Sequence, residues 1–119
     1  MAITEFGKAV RKARIDANNV TLSSMATALQ TTPSFLSALE MGRKKIPAEW
    51  VKRIESFFQQ QGVSVRLGDL ADVANKNVSL DGLSPAQQML VAGFARVNLD
   101  EVEIDNFRKL LSMSKGPQK

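Results

Sequence analysis

Residues 32–45 read TPSFLSALEMGRKK, and they bring hydroxyls at Ser34 and Ser37 close in sequence to three consecutive cations, Arg43, Lys44 and Lys45. Hydroxyls can donate to and accept from base edges and adjacent cations can neutralise phosphates, which is the chemistry of nucleic-acid binding; in isolation such residues are more often an exposed polar face and a solvated loop, and a recognition helix beside them is what shifts the reading. Little else in the chain is reactive. It has no Cys and no His, which removes thiolate chemistry, imidazole bases, disulfides and the commonest zinc ligands. No phosphate-cradling Gly-rich loop and no paired carboxylates are visible, so no enzyme activity, metal site or cofactor is expected.

Two short helices must position those groups. In 21–42, TLSSMATALQTTPSFLSALEMG, Thr21 can cap a first helix whose apolar positions Leu22, Met25, Ala26 and Leu29 recur at helical spacing. That helix stops at Gln30 and Thr31. Thr32 caps a second one, with Pro33 at its first position and Gly42 able to turn left-handed at its end. Leu36, Leu39 and Glu40 then face inward, and Ser34, Ser37, Ala38 and Met41 face out. So short a link forces a steep crossing, and Ala26 supplies the small residue needed there.

The stretch TLSSMATALQTTPSFLSALEMGRKKIP resembles the helix-turn-helix of the lambda-repressor-like, or XRE, transcriptional regulators, a likeness covering roughly residues 4 to 60. The resemblance implies that 33–41 is a recognition helix. Ser34 and Ala38 match positions that meet base edges in the major groove, with Thr32, Pro33 and Ser37 beside them; an alanine methyl can pack on a thymine methyl. It implies phosphate-backbone contact by Thr21, Ser23, Phe35, Arg43, Lys44 and Lys45. Phe35 stands where Tyr is frequent, and without a hydroxyl it must pack inward or touch sugar and base-methyl surface. A buried ion pair between Arg14 and Glu40 is implied too, which would account for a carboxylate on an inward face. Two features depart from the pattern. Gln30 replaces the usual Gly of the turn, where a left-handed backbone costs roughly 1 to 2 kcal/mol, and the connection IDANNV is about one residue longer than usual.

Charge is placed unevenly. Residues 1–61 hold nine Lys/Arg against five acids, a net of +4, and residues 62–119 hold seven of each. A polyanion-binding face therefore belongs in the first half. With 119 residues and 44% hydrophobic content, the chain can fold as one small domain with an appendage. The N-terminal sequence lacks the apolar run of a signal peptide and no stretch is long enough to span a membrane. A cytoplasmic protein of bacterial, phage or mobile-element origin is expected, with no membrane association.

The remaining pattern predicts an all-α fold. Thr4 caps a first helix to about Ala17, with Phe6, Ala9, Val10 and Ala13 apolar, and Asn18 and Asn19 end it. Pro47 opens a fourth helix carrying Trp50, Val51, Ile54, Phe57 and Phe58, which ends near Gly62; its aromatic residues read as core rather than base-stacking groups. A fifth runs from about Leu67 to Ala74, followed by an extended stretch with Val78 and Leu80 and a turn at Asp81 and Gly82. Ser84 and Pro85 start a helix through Leu90, Phe94 and Val97, and Asp100 with Glu103 starts another through Ile104, Phe107, Leu110 and Leu111. The expected organisation is a DNA-binding domain at 1–62, a connecting helix and extended segment at 63–83, a C-terminal helical hairpin at 84–112 and a flexible tail at 113–119.

The apolar hairpin needs a partner surface, either the first domain of the same chain, whose core it would enlarge, or the same hairpin of a second chain. A second copy is favoured, through Leu90, Phe94, Val97, Ile104, Phe107, Leu110 and Leu111, because a two-fold protein matches a palindromic operator; 78–80 could pair as a strand across that dimer. The expected function is a sequence-specific regulator, a homodimeric repressor on double-stranded DNA. The alternative is an antitoxin or interaction module whose hairpin binds a partner protein.

Overall fold

The computed structural model describes residues 3–113, which form seven α-helices and no strand. The described residues are thus all-α, in two compact units divided between Ser79 and Leu80.

In the first unit, α1 (Glu5–Asp16) is capped by Thr4, whose Oγ1 accepts from Gly7 N at 3.0 Å. Its buried stripe is Phe6, Val10 and Ala13, the spacing of one helical face. The chain then reverses through Asn18 and Asn19, both left-handed at φ 68° and 62°. Asparagine tolerates that conformation better than most residues, and the two together absorb the longer connection.

Thr21 caps α2 (Leu22–Ala28) and Thr32 caps α3 (Pro33–Glu40), each through its hydroxyl, at 3.0 Å to Ser24 N and 3.1 Å to Phe35 N. Between them Gln30 adopts φ 58°. Thr31 N bonds to Ala26 O at 2.9 Å and Gln30 N to Thr27 O at 3.1 Å, the pair of bonds that satisfies the last carbonyls of a helix around a left-handed residue. The turn therefore keeps its left-handed position despite lacking Gly. α3 ends the same way, with Gly42 at φ 74° and Arg43 N bonded to Ala38 O at 2.9 Å. α2 and α3 pack on one another, and Ala26 is buried.

α4 (Ala48–Gln60) buries Val51, Ile54, Phe57 and Phe58, with Pro47 at its cap rather than inside its first turn. α5 (Gly68–Asn75) changes the expected boundary. Leu67 is fully buried, Ala71 nearly so, and the helix packs against α1 and α4. Leu67 offers no side-chain cap, and Glu55 of α4 supplies one by accepting from Leu67 N at 2.7 Å. This helix thus completes the core instead of connecting two domains, so the unit reaches Ser79 and not residue 62.

In the second unit, α6 (Pro85–Arg96) and α7 (Glu101–Met113) each begin with a reciprocal cap. Ser84 and Gln87 exchange bonds with each other's backbone N–H, as do Asp100 and Glu103. Phe94 and Phe107 meet edge to face, centroids 5.1 Å apart. Neither helix has a buried residue. Met113, expected to begin the tail, is still helical, and 114–119 lie outside the described residues. Residues 77–80 form no strand.

Candidate nucleic-acid interface

Thr32, Pro33 and Ser34 stand at the start of α3 with Pro33 and Ser34 exposed, Ser37 and Ala38 are half-buried one turn on, and Leu36, Leu39 and Glu40 are buried behind them. The expected outward and inward faces are those that the helix presents. Thr21 and Ser23, at the start of α2, are exposed as well. Thr21 and Ser37 line one shallow depression with Arg11 and Asn19, so the structure brings the α2 start beside the α3 face.

Three attachments fix the orientation of α3. The first is electrostatic. Glu40, 3% exposed, receives Arg14 Nη2 on both carboxylate oxygens, at 3.3 and 3.2 Å, and Arg11 Nε on Oε1 at 3.3 Å. Arg14 and Glu40 are thus brought together, and Arg11 joins them. Arg11 and Arg14 stand three apart on α1 and share a face, which is the sequence signal that would have found it. Arg14 Nε is buried with no hydrogen-bond partner among the described residues, a desolvation cost that the folded state carries against the pairing with Glu40.

The second attachment is backbone. Glu40 O accepts from Thr4 N at 3.2 Å and from Thr4 Oγ1 at 2.8 Å, so the start of α1 satisfies a carbonyl at the end of α3. Such close approach needs Gly7, since a β-carbon there would collide with the Glu40 carbonyl. The third is aromatic. The Phe35 ring lies 4.8 Å from that of Trp50, and the Arg53 guanidinium sits 4.1 Å over Trp50 while donating to Leu29 O. Of the two alternatives for Phe35, packing inward against Trp50 is the one realised, with the ring half-buried, and it links α3 to α4. Trp50, Phe57 and Phe58 lie in or against the core.

The cations divide by what they touch. On α1, Lys8 pairs with Glu5 at 3.2 Å, Lys12 with Asp16 at 3.0 Å, and Arg11 with Glu40. After α3, Arg43, Lys44 and Lys45 are all exposed. Lys45 Nζ donates to Asn75 O at 2.7 Å, whereas Arg43 and Lys44 form no ion pair among the described residues. The two free charges follow directly on the exposed face of α3.

On the second unit, Leu90, Phe94, Val97, Ile104, Phe107, Leu110 and Leu111 are all exposed, from 42% at Ile104 to 75% at Leu111. Phe94 and Phe107 touch across the hairpin, and the others keep large apolar surface in water. Among the described residues no helix is long and apolar enough to cross a membrane.

No protein-family model, characterised protein or solved structure matches this chain.

Proposed function

We propose that the first unit is a lambda-repressor-like helix-turn-helix domain and that the chain is a homodimeric, sequence-specific DNA-binding repressor. One observation carries this reading: α3 presents a small, polar, solvent-facing side immediately followed by two unpaired cations, while its other side is fixed to α1 and α4. A rigidly held helix with short side chains can lie deep in the major groove. Ser34 then hydrogen-bonds base edges, Ala38 packs on a thymine methyl, and Thr32, Pro33 and Ser37 complete the contact. Arg43 and Lys44 neutralise phosphates beside it, with the start of α2 at the backbone. Occupying a promoter operator would block transcription.

A second copy is the occupant proposed for the hairpin. Its apolar side chains gain by burial at roughly 25 cal/mol per Å², and exposed large apolar surface of this kind marks an interaction site. The charge order of α7 favours like pairing with like. Glu101, Glu103 and Asp105 occupy its first half and Arg108 and Lys109, which pair with Asp105 along the helix, its second, so two antiparallel copies of α7 set the acidic half of each, Glu101 and Glu103 included, against the basic half of the other.

Fluorescence anisotropy with duplex DNA, read alongside sedimentation of the free protein, tests both parts. A salt-dependent complex and a dimer are expected. A dimer with no affinity for duplex at low salt refutes the DNA reading, and a monomer that binds DNA unaided refutes the pairing.

A further inference from the structure

Asn75 closes α5, and its side chain reaches back 29 residues in sequence to the loop that follows α3. Its Oδ1 accepts from Ile46 N at 2.8 Å, and its Nδ2 donates to Ile46 O at 2.9 Å. One carboxamide thereby satisfies both backbone groups of a single residue, as a neighbouring strand would. The orientation of the amide is fixed by this pattern, because a flipped group would set donor against donor and acceptor against acceptor. The carbonyl of Asn75 is used as well, accepting from Lys45 Nζ at 2.7 Å. An ammonium at the carboxyl end of a helix lies where the helix dipole is negative.

The loop has little freedom left. Gly42 leaves α3 through a left-handed turn, and Ile46 is anchored in the core at 3% exposed. Only 43–45 lie between these fixed points. Holding the backbone of Ile46 and the ammonium of Lys45 therefore decides where Arg43 and Lys44 can reach.

We propose that Asn75 is a positioning residue for DNA binding, which sets the loop so that Arg43 and Lys44 meet phosphates, and that Lys45 serves as a cap on α5 instead of a phosphate ligand. This rests on the DNA-binding reading above and narrows its cation set from three to two. Equal roles for Arg43, Lys44 and Lys45 are suggested by the family resemblance and by their adjacency, neither of which registers a partner 30 residues away.

The test compares Arg43→Ala, Lys44→Ala, Lys45→Ala, Asn75→Ala and Glu55→Ala with the full-length protein on random duplex across a salt series, together with thermal unfolding. Arg43→Ala and Lys44→Ala are each expected to lower the log–log salt slope by about one unit, and Lys45→Ala to leave it unchanged. Asn75→Ala, which removes both side-chain hydrogen bonds to Ile46, is expected to weaken binding roughly three- to tenfold. Glu55→Ala, which removes the acceptor for Leu67 N at the other end of α5, controls for stability alone and should lower the melting temperature without weakening DNA binding. Amide exchange at Ile46 should accelerate in Asn75→Ala only. A full-unit slope loss in Lys45→Ala, or equal affinity losses in Asn75→Ala and Glu55→Ala, overturns the proposal. Should Asn75→Ala fail to fold, the Lys45→Ala slope decides, with Asn75→Asp, which keeps the acceptor and loses the donor, expected to bind with intermediate affinity. Should the unaltered protein bind no duplex, it is the DNA reading that fails and the positioning role falls with it; faster exchange at Ile46 would then report the hydrogen bonds alone.

Discussion

Replacing Glu40 with Ala would remove the carboxylate on which two guanidinium groups converge, and the structure allows the cost to be worked out. Three hydrogen bonds at 3.2 to 3.3 Å are lost, from Arg14 and Arg11. Breaking a buried ion pair by removing one partner typically costs about 3 to 5 kcal/mol, mostly because the remaining charge is left without compensation. Here the Arg14 side chain is 17% exposed and that of Arg11 53%, so both regain some water and the lower end, about 3 kcal/mol, is expected. For a unit of this size that loss lowers the melting temperature by roughly 12 to 24 °C. Arg14→Ala leaves Glu40 with Arg11 alone and should cost about 2 kcal/mol. Arg11→Ala removes a largely solvated partner and should cost under about 1 kcal/mol. Urea unfolding followed by far-ultraviolet circular dichroism measures all three. A Glu40→Ala cost below about 1 kcal/mol, or equal costs for the two arginine variants, would refute the reasoning that burial of Glu40 makes this cluster hold α3 to α1.

Gln30→Gly should stabilise the protein by about 1 kcal/mol, since it relieves the left-handed strain at φ 58° and removes only an exposed side chain; denaturant midpoints would show it, and an unchanged or lower midpoint would argue against strain there. Gly7→Ala should destabilise by about 1 to 3 kcal/mol, because the new methyl meets the backbone of Glu40 and not a movable side chain; differential scanning calorimetry reads the loss. Ser34→Ala and Ala38→Gln should change which operator is preferred while leaving affinity for random duplex within about threefold, in competition binding; an unchanged preference would show that another face reads the bases. Phe107→Glu or Leu110→Glu should yield a folded monomer with weak operator binding, measured by light scattering and anisotropy; a folded dimer would place the interface elsewhere.

Local chemistry is legible in the sequence to the extent that the chain decides it locally. Thr4, Thr21, Thr32, Ser84 and Asp100 all cap the helices that they are expected to cap, because an N-cap needs only a short polar side chain and an amide three residues on. The buried stripes of α1 and α4 follow from periodicity for the same reason. Contacts between distant segments are less legible. Nothing near Leu67 or Ala71 announces that α1 and α4 leave a space for them, so α5 reads as a connector. The Thr4 bonds to Glu40 and the Asn75 bonds to Ile46 join residues 36 and 29 apart, and each depends on packing established elsewhere. Gln30 is instructive in the other direction. A left-handed Gln carries a penalty of roughly 1 to 2 kcal/mol, and yet burial of Met25, Ala26 and Leu29 outweighs it.

Selection of binding sites from random duplex DNA by the purified protein tests the central proposal most directly, because it assumes no operator. Enrichment of a palindrome with half-site centres roughly one helical turn apart is the predicted result, and it would establish both base readout and two-fold pairing. Recovery of unenriched sequence, at a salt low enough to retain phosphate contacts, would contradict the account.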